Sequence, residues 1–352
     1  MSRLWSKVVE QLTPYVPGEQ PAMRDLVKLN TNEHPYPPAP GVAAAITSLD
    51  MESVRRYPDP ESCELRDALA RRYGLSRDEV FVGNGSDEVL ALAFQAFFKQ
   101  SSPLLFPDIT YSFYPVWCQL YQIEWQTIPL LDDFRVDVDG FDRVNGGIII
   151  PNPNAPTGIL LSLDEVRTLL ERNPNAVVAV DEAYIHFGGE TACQLISDFD
   201  NLLVVQTMSK SWALAGLRVG MAMGNVQLIE ALTRVKNSFN SYPLDIVAQK
   251  AGVAALADEA YFDSARNKVI ASRKRLTAAM TELGFTVLPS GANFILARHP
   301  QSNAKELFEA LREHSIIVRY FNSPRISDYL RISVGTDDQC DRLLQALAEL
   351  LP

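Results

Sequence analysis

Between about Glu61 and Asn225 the chain repeats one pattern: a short apolar run, an abrupt stop at polar residues or glycine, then a helical periodicity. Continuous apolar runs of strand length belong inside a parallel sheet that helices cover on both faces. The pattern predicts an α/β fold with a mostly parallel, doubly wound sheet. Open sheets of this kind bind ligands beyond the carboxyl ends of their strands. The residues at which the runs stop are therefore the first candidates for function.

Residues 202–205 (Leu-Leu-Val-Val) run into Thr207, Ser209 and Lys210, and Arg218 follows the lysine by 218 − 210 = 8 positions. A lysine amine can form a Schiff base with an aldehyde, and hydroxyls with a guanidinium supply donors for a phosphate dianion. Residues 176–180 are apolar and end in Asp181-Glu182-Ala183-Tyr184. A carboxylate at the end of a buried strand is costly unless it meets a cation, or else it caps the next helix. Residues 148–150 run into Pro151-Asn152-Pro153-Asn154-Ala155-Pro156-Thr157-Gly158, a rigid turn whose Asn side chains can donate to a ligand. Residues 80–82 lead through Gly83, Asn84 and Gly85 to Ser86 and Asp87, a glycine turn feeding a helix whose free amides favour an anion. Glu88 stands where a dinucleotide fingerprint needs glycine, and Gly-Lys-Ser/Thr does not occur, so neither nucleotide motif is supported.

The ordered set Gly85-Ser86-Asp87, Tyr111, residues 154–158, residues 181–184, Ser209-Lys210 and Arg218 resembles the fold-type I pyridoxal-phosphate-dependent aminotransferases. Residues 12–18 (Leu-Thr-Pro-Tyr-Val-Pro-Gly), Leu29-Asn30-Thr31-Asn32-Glu33, Arg56-Tyr57-Pro58 and residues 329–333 narrow the resemblance to the histidinol-phosphate aminotransferase family, over nearly the whole chain. Such a fold implies a large domain with a mostly parallel, seven-stranded sheet and a smaller α+β domain. The expected division is a large cofactor-binding domain over 50–245, with an N-terminal arm over 1–49 and a small domain over 246–352.

The resemblance implies that Lys210 holds pyridoxal 5'-phosphate and moves the proton, while Asp181 stabilises the protonated ring nitrogen. Tyr184 is expected on the phenolic oxygen of the cofactor and Tyr111 on its ring. Gly85, Ser86, Asp87, Thr207, Ser209 and Arg218 are expected around its phosphate. Tyr57 matches a tyrosine that reaches this phosphate from a neighbouring subunit, which implies a homodimer. Many relatives carry Asn directly before Pro-Thr-Gly, where this chain has Ala155, so Asn154 is the candidate second partner of the phenolic oxygen. Arg319 and Arg331 suit a substrate phosphate or the carboxylate of a second substrate. Tyr15 and Glu33 match positions near the substrate.

The implied reaction is transamination of L-histidinol phosphate with 2-oxoglutarate, giving imidazole acetol phosphate and glutamate, a step of histidine biosynthesis. An aromatic amino-acid aminotransferase and a threonine-phosphate decarboxylase share most of these motifs. A cofactor-binding regulator without turnover is disfavoured by the intact Lys210, Asp181 and Arg218 and by the lack of a DNA-binding extension.

The net charge of −11 over 352 residues argues against a nucleic-acid surface. No apolar run approaches membrane-span length, and residues 1–7 lack a signal-peptide core, so a cytoplasmic protein is expected. Cys63, Cys118, Cys193 and Cys340 are scattered, which predicts reduced, mostly buried thiols, and the four histidines have no metal-ligand spacing. Ser162 to Glu165 reads as a capping box. Residues 242–252 lead into one long helical pattern through Leu283, ended by Gly284, with Arg273, Lys274 and Arg275 on its solvated face. Residues 285–288, 294–296 and 316–318 read as strands, and Arg312 and Arg325 as surface ion pairs.

Overall fold

The computed structural model of the chain describes residues 3–22 and 24–351. Met1 and Ser2, part of the N-terminal reading above, lie outside the described residues. A two-residue strand, Val27–Lys28 (β1), precedes seven longer ones: Val80–Asn84 (β2), Leu104–Pro107 (β3), Trp125–Ile128 (β4), Gly147–Pro151 (β5), Val178–Asp181 (β6), Leu202–Thr207 (β7) and Val219–Gly224 (β8). Among the described residues β2 to β8 form one sheet in the order β2-β8-β7-β6-β5-β3-β4. β8 is antiparallel to both its neighbours, and every other pair is parallel.

Both faces of the sheet are buried along its central strands, which is why these read as unbroken apolar runs, while the edge strand β4 is exposed at three of its four residues. Ile148, Ile150, Val178, Val180, Leu202 and Val204 pack into one core, and the alternate residues Ile149, Ala179, Leu203 and Val205 into another on the opposite face. Each valine, leucine or isoleucine among them contributes about 1.5–3 kcal/mol by leaving water. The parallel register sets Pro151 beside Asp181 and Asp181 beside Val205, so the polar stops of three runs emerge along one edge. Between β5 and β6 the helix Leu163–Arg172 opens with the expected capping box, Ser162 N–H donating to Glu165 at 2.7 Å and Glu165 N–H to Ser162 Oγ at 3.3 Å.

The C-terminal region adds Thr286–Val287 (β9), Phe294–Arg298 (β10), Ile316–Ile317 (β11), Arg319–Tyr320 (β12) and Leu330–Ser333 (β13). Its antiparallel sheet runs β12-β13-β10-β9, and β1 pairs in parallel with β11. The N-terminal Val27 and Leu29 therefore share a core with Ile295, Leu330 and Ile332.

Three expectations are corrected here. The single long helix is two, Ile246–Ala257 and Glu259–Glu282, because Asp258 leaves helical geometry and its carboxylate accepts from Tyr261 N–H at 3.0 Å. Arg273 is not solvated: it is buried and donates to the Ala292 carbonyl, and burial pulls its pKa below the usual arginine range. Lys274 and Arg275 are exposed as expected, Arg275 pairing with Asp337 and Asp341. The strand read at 285–288 shrinks to Thr286–Val287. The four cysteines are free thiols, three of them buried. Arg312 pairs with Glu19 and Arg325 with Asp108. Among the described residues no helix is long and apolar enough to cross a membrane.

Candidate active site

The edge at which β5, β6 and β7 end opens on a cavity of about 350 Å³, large enough for a cofactor or substrate. Asp181, the last residue of β6, is buried, and its Oδ2 accepts from the Tyr114 hydroxyl at 2.9 Å. Its Oδ1 is buried without a partner, which is costly for a carboxylate facing a cavity. Burial, above all, pushes the Asp181 pKa up to about 6, against the lowering effect of the Tyr114 hydrogen bond. An adjacent cation is the missing partner that would reverse that shift.

β7 ends in Thr207, after which the chain turns sharply. Ser209 N–H donates to Thr207 Oγ1 at 3.1 Å, and the two hydroxyl oxygens lie 3.0 Å apart. Lys210 reaches across the cavity, its Nζ donating to the Thr31 carbonyl at 3.1 Å and lying 5.6 Å from the centre of the Tyr184 ring. The helix Gly85–Ala93 points its N-terminus at the same place. Arg218 Nη2 donates to Asp87 Oδ2 at 2.8 Å, and Tyr111 Oη donates to Asp87 Oδ1 at 3.2 Å. Both members of this ion pair are over two-fifths exposed, so it orients the guanidinium more than it stabilises the fold. Gly85 has φ +79°, and a Cβ there would run into the Arg218 guanidinium. The start of a helix, two hydroxyls and one arginine thus line one part of the cavity, the set of donors that suits an anion.

The opposite wall comes from the N-terminal segment and the antiparallel sheet. Arg319 on β12 pairs directly with Arg331 on β13, so the two like charges stand side by side on the cavity wall. Such a pair is destabilising unless an anion lies between its members. Arg331 Nη2 donates to the Asn30 carbonyl at 2.8 Å, while its Nε is buried without a partner. Burial and the neighbouring Arg319 hold its pKa below the usual range, in that order among the lowering effects. Tyr15 also lines this wall, its ring tilted to Tyr111 at 6.4 Å between centroids.

Of the residues named from the sequence, Tyr15, Ser86, Asp87, Tyr111, Asp181, Tyr184, Thr207, Ser209, Lys210, Arg218, Arg319 and Arg331 line the cavity. Gly85 lies behind the Arg218 guanidinium. Asn154 does not line it: its Nδ2 is committed to the Ile109 carbonyl and Thr157 Oγ1, both at 3.0 Å, and Ala155 forms that part of the wall. Glu33 pairs with Lys28 and accepts from Thr31, and Tyr57 stacks on Tyr242 at 4.5 Å, 80% exposed. Sequence reasoning missed the roles of Asn32, of Tyr114, and of Phe321, whose ring lines the cavity with the Arg319 and Arg331 guanidiniums 5.7 and 5.5 Å from its centre. Tyr114 follows Tyr111 by three residues and opens the helix Tyr114–Tyr121, a spacing that could have flagged it; Asn32 depends on a partner 301 positions away.

The description "Aminotransferase class I and II" matches residues 24–347. The chain is 60% identical to histidinol-phosphate aminotransferase 2 of Dechloromonas aromatica, over 99% of each chain. It is 57% identical to the histidinol-phosphate aminotransferase of Aromatoleum aromaticum over the full length of both. Among solved structures, that of histidinol-phosphate aminotransferase from Sinorhizobium meliloti in complex with pyridoxal-5'-phosphate aligns with a TM-score of 0.88 at 25% identity, covering 100% of this chain and 98% of that one. The strand-end cavity, its lysine and its paired arginines thus sit in a chain that belongs to the class I and II aminotransferases, within the histidinol-phosphate aminotransferase family.

Proposed function

We propose that the chain transfers the amino group of L-histidinol phosphate to 2-oxoglutarate, yielding imidazole acetol phosphate and glutamate in histidine biosynthesis. The observation that carries this reading is the pair Arg319 and Arg331, side by side on the wall opposite Lys210 with Arg331 Nε unpartnered, a charge arrangement that needs an anion. A phosphorylated amine places its phosphate there while its nitrogen faces the lysine.

The residues present fit pyridoxal 5'-phosphate, because the unpartnered Asp181 Oδ1 awaits a cation and the recess at Gly85 and Arg218 awaits a phosphate. In this reading Ser86, Asp87, Thr207, Ser209 and Arg218 hold the phosphate end, Asp181 the ring nitrogen, Tyr184 the phenolic oxygen and Tyr111 the ring face. When bound, the cofactor supplies an electron sink and carries the amino group between half-reactions. Lys210 Nζ tethers it and then, released, takes the proton from the amine-bearing carbon of the substrate. Asp181 stays ionised beside the cation it neutralises. Tyr15 and the paired arginines seat the substrate and exclude water from its reacting end.

Further parts of the proposal concern organisation. Residues 50–245 act as the cofactor domain, with 1–49 and 246–352 forming the part that carries Arg319 and Arg331. The working form is a cytoplasmic homodimer in which Tyr57 serves the neighbouring subunit's phosphate site. Its ring is 80% exposed and stacked on the exposed Tyr242, which supports that reading.

Purified protein with cofactor and 2-oxoglutarate, offered histidinol phosphate, histidinol or phenylalanine, tests the function through glutamate release. Histidinol phosphate is expected to be used best. Better use of phenylalanine would make the chain an aromatic aminotransferase, and carbon dioxide release from threonine phosphate without glutamate would make it a decarboxylase.

A further inference from the structure

Three consecutive residues of the N-terminal segment each touch a different working group. The Asn30 carbonyl accepts from Arg331, the Thr31 carbonyl accepts from Lys210, and Asn32 Nδ2 donates to Tyr184 Oη at 3.0 Å. Asn32 is 1% exposed and every polar atom it has is engaged. Its backbone N–H donates to Ser333 Oγ at 2.9 Å, the Ser333 hydroxyl donates back to Asn32 Oδ1 at 2.8 Å, and Asn293 Nδ2 donates to the Asn32 carbonyl at 3.0 Å.

This arrangement fixes which way the Asn32 amide faces. Turning it over would bring Nδ2 to Ser333 Oγ and cost the buried serine hydroxyl its acceptor. With Oδ1 held by Ser333, Nδ2 must face Tyr184, whose oxygen then accepts and whose proton is left for the cavity. Asparagine also suits the backbone, since residue 32 has φ 55°, in the left-handed region that asparagine tolerates better than most residues. The neighbouring residues 154 and 155 offer no substitute donor: Ala155 contributes a methyl, and Asn154 Nδ2 is committed to the Ile109 carbonyl and Thr157 Oγ1. Ser333 lies two residues beyond Arg331 on β13 and shares its face of the sheet.

We infer that Asn32 is a positioning residue that holds the Tyr184 hydroxyl as a donor toward the cofactor's phenolic oxygen and ties that donor, through Ser333, to the strand carrying Arg331. The inference rests on the proposed placement of that oxygen against Tyr184. A donor to the phenolic oxygen favours its anionic form, so losing the donor raises the pH at which the lysine-bound cofactor changes its visible absorbance.

Spectrophotometric pH titration of the holoenzyme tests this without turnover. Tyr184→Phe is expected to raise the apparent pKa by about one unit or more, the scale of one hydrogen bond to a charged group. Asn32→Gly, which keeps the left-handed backbone, is expected to raise it by about half as much, and Ser333→Ala by less in the same direction. The Asn32→Gly/Tyr184→Phe double variant is expected to titrate like Tyr184→Phe alone, because Asn32 acts through the hydroxyl already removed. If Tyr184→Phe shifts the titration while Asn32→Gly and Ser333→Ala leave it at the parent value, or if the two shifts add in full, the inference is overturned. If Tyr184→Phe itself changes nothing, the placement of the phenolic oxygen fails first. Should Asn32→Gly not fold, Ser333→Ala alone and combined with Tyr184→Phe carries the same comparison.

Discussion

The two walls of the cavity are built in different ways. One is made where strands stop: Asp181 closes β6, Thr207 closes β7, and Ser209 and Lys210 follow within three residues. The other is assembled from the two ends of the chain, with Asn30 and Asn32 bonded to Arg331 and Ser333 across 301 positions. The strand-end wall takes its geometry from the consecutive buried strands β5, β6 and β7, so its groups are aimed by packing on both faces of the sheet. The opposite wall takes its geometry from hydrogen bonds and a core shared between distant segments, so its groups meet only when the two ends of the chain come together. In the proposed reading the first wall holds the cofactor and the second chooses the substrate.

The largest effect is expected at Lys210. Lys210→Ala should lose the visible absorbance that borohydride abolishes in the parent and should reduce turnover by at least about 10²- to 10⁴-fold, the usual share of a positioned proton carrier. Borohydride reduction with peptide mapping checks it, and a label on another lysine would move the tether off the strand-end wall. Asp181→Asn should leave a folded protein that transaminates about 10²- to 10³-fold more slowly, since an amide cannot offset the ring cation in a buried site. Steady-state rates at saturating cofactor decide this, and parent-like turnover would break the assignment. Arg218→Ala should weaken cofactor retention by roughly 10- to 100-fold, as one charge-assisted hydrogen-bond donor contributes about 1.5–3 kcal/mol. Dialysis against cofactor-free buffer, followed by absorbance, measures the change.

The smallest effect concerns the pH dependence of apoprotein stability. Burial raises Asp181 from 3.8 to about 6 and Glu182, which accepts from Thr191, Ala192 and Gln206, from 4.5 to about 7. Over those windows the unfolded chain releases its protons first, so folding stability falls as pH rises from about 4 to about 7. Urea unfolding of the apoprotein across this range should show the decline. Asp181→Asn should flatten its lower part and Glu182→Gln its upper part. Saturating cofactor should remove the Asp181 share, because the ring cation reverses the shift at Asp181, and should leave a decline from Glu182, whose largest cause is burial.

The difference between the walls also decides what could be read from the sequence. Residues 148–150 and 202–205 lie wholly inside observed strands, and 176–180 overlaps one, because a strand buried on both faces must be apolar at every position. The polar residues that follow such runs are visible for the same reason. What was not legible depended on distant partners or, at Asp258, on one local cap. Arg273 carries the same charge as Lys274 and Arg275, and only the Ala292 carbonyl, 19 positions on, explains its burial. The break at Asp258 turns on a single cap within an otherwise helical pattern. Asn154 and Asn32 are chemically equivalent in the sequence, yet one amide is taken up by Ile109 and Thr157 and the other reaches Tyr184.

The contrast between a wall for the cofactor and a wall for the substrate is tested most directly by comparing Arg331→Gln with the parent on two donors, histidinol phosphate and histidinol. Loss of the guanidinium is expected to lower kcat/KM for histidinol phosphate by roughly 10- to 100-fold, the scale of a charge-assisted hydrogen bond, while the histidinol value and the bound-cofactor absorbance stay near those of the parent. An equal loss on both donors, or loss of the cofactor absorbance, would contradict the account, because Arg331 would then belong to the machinery that both donors share.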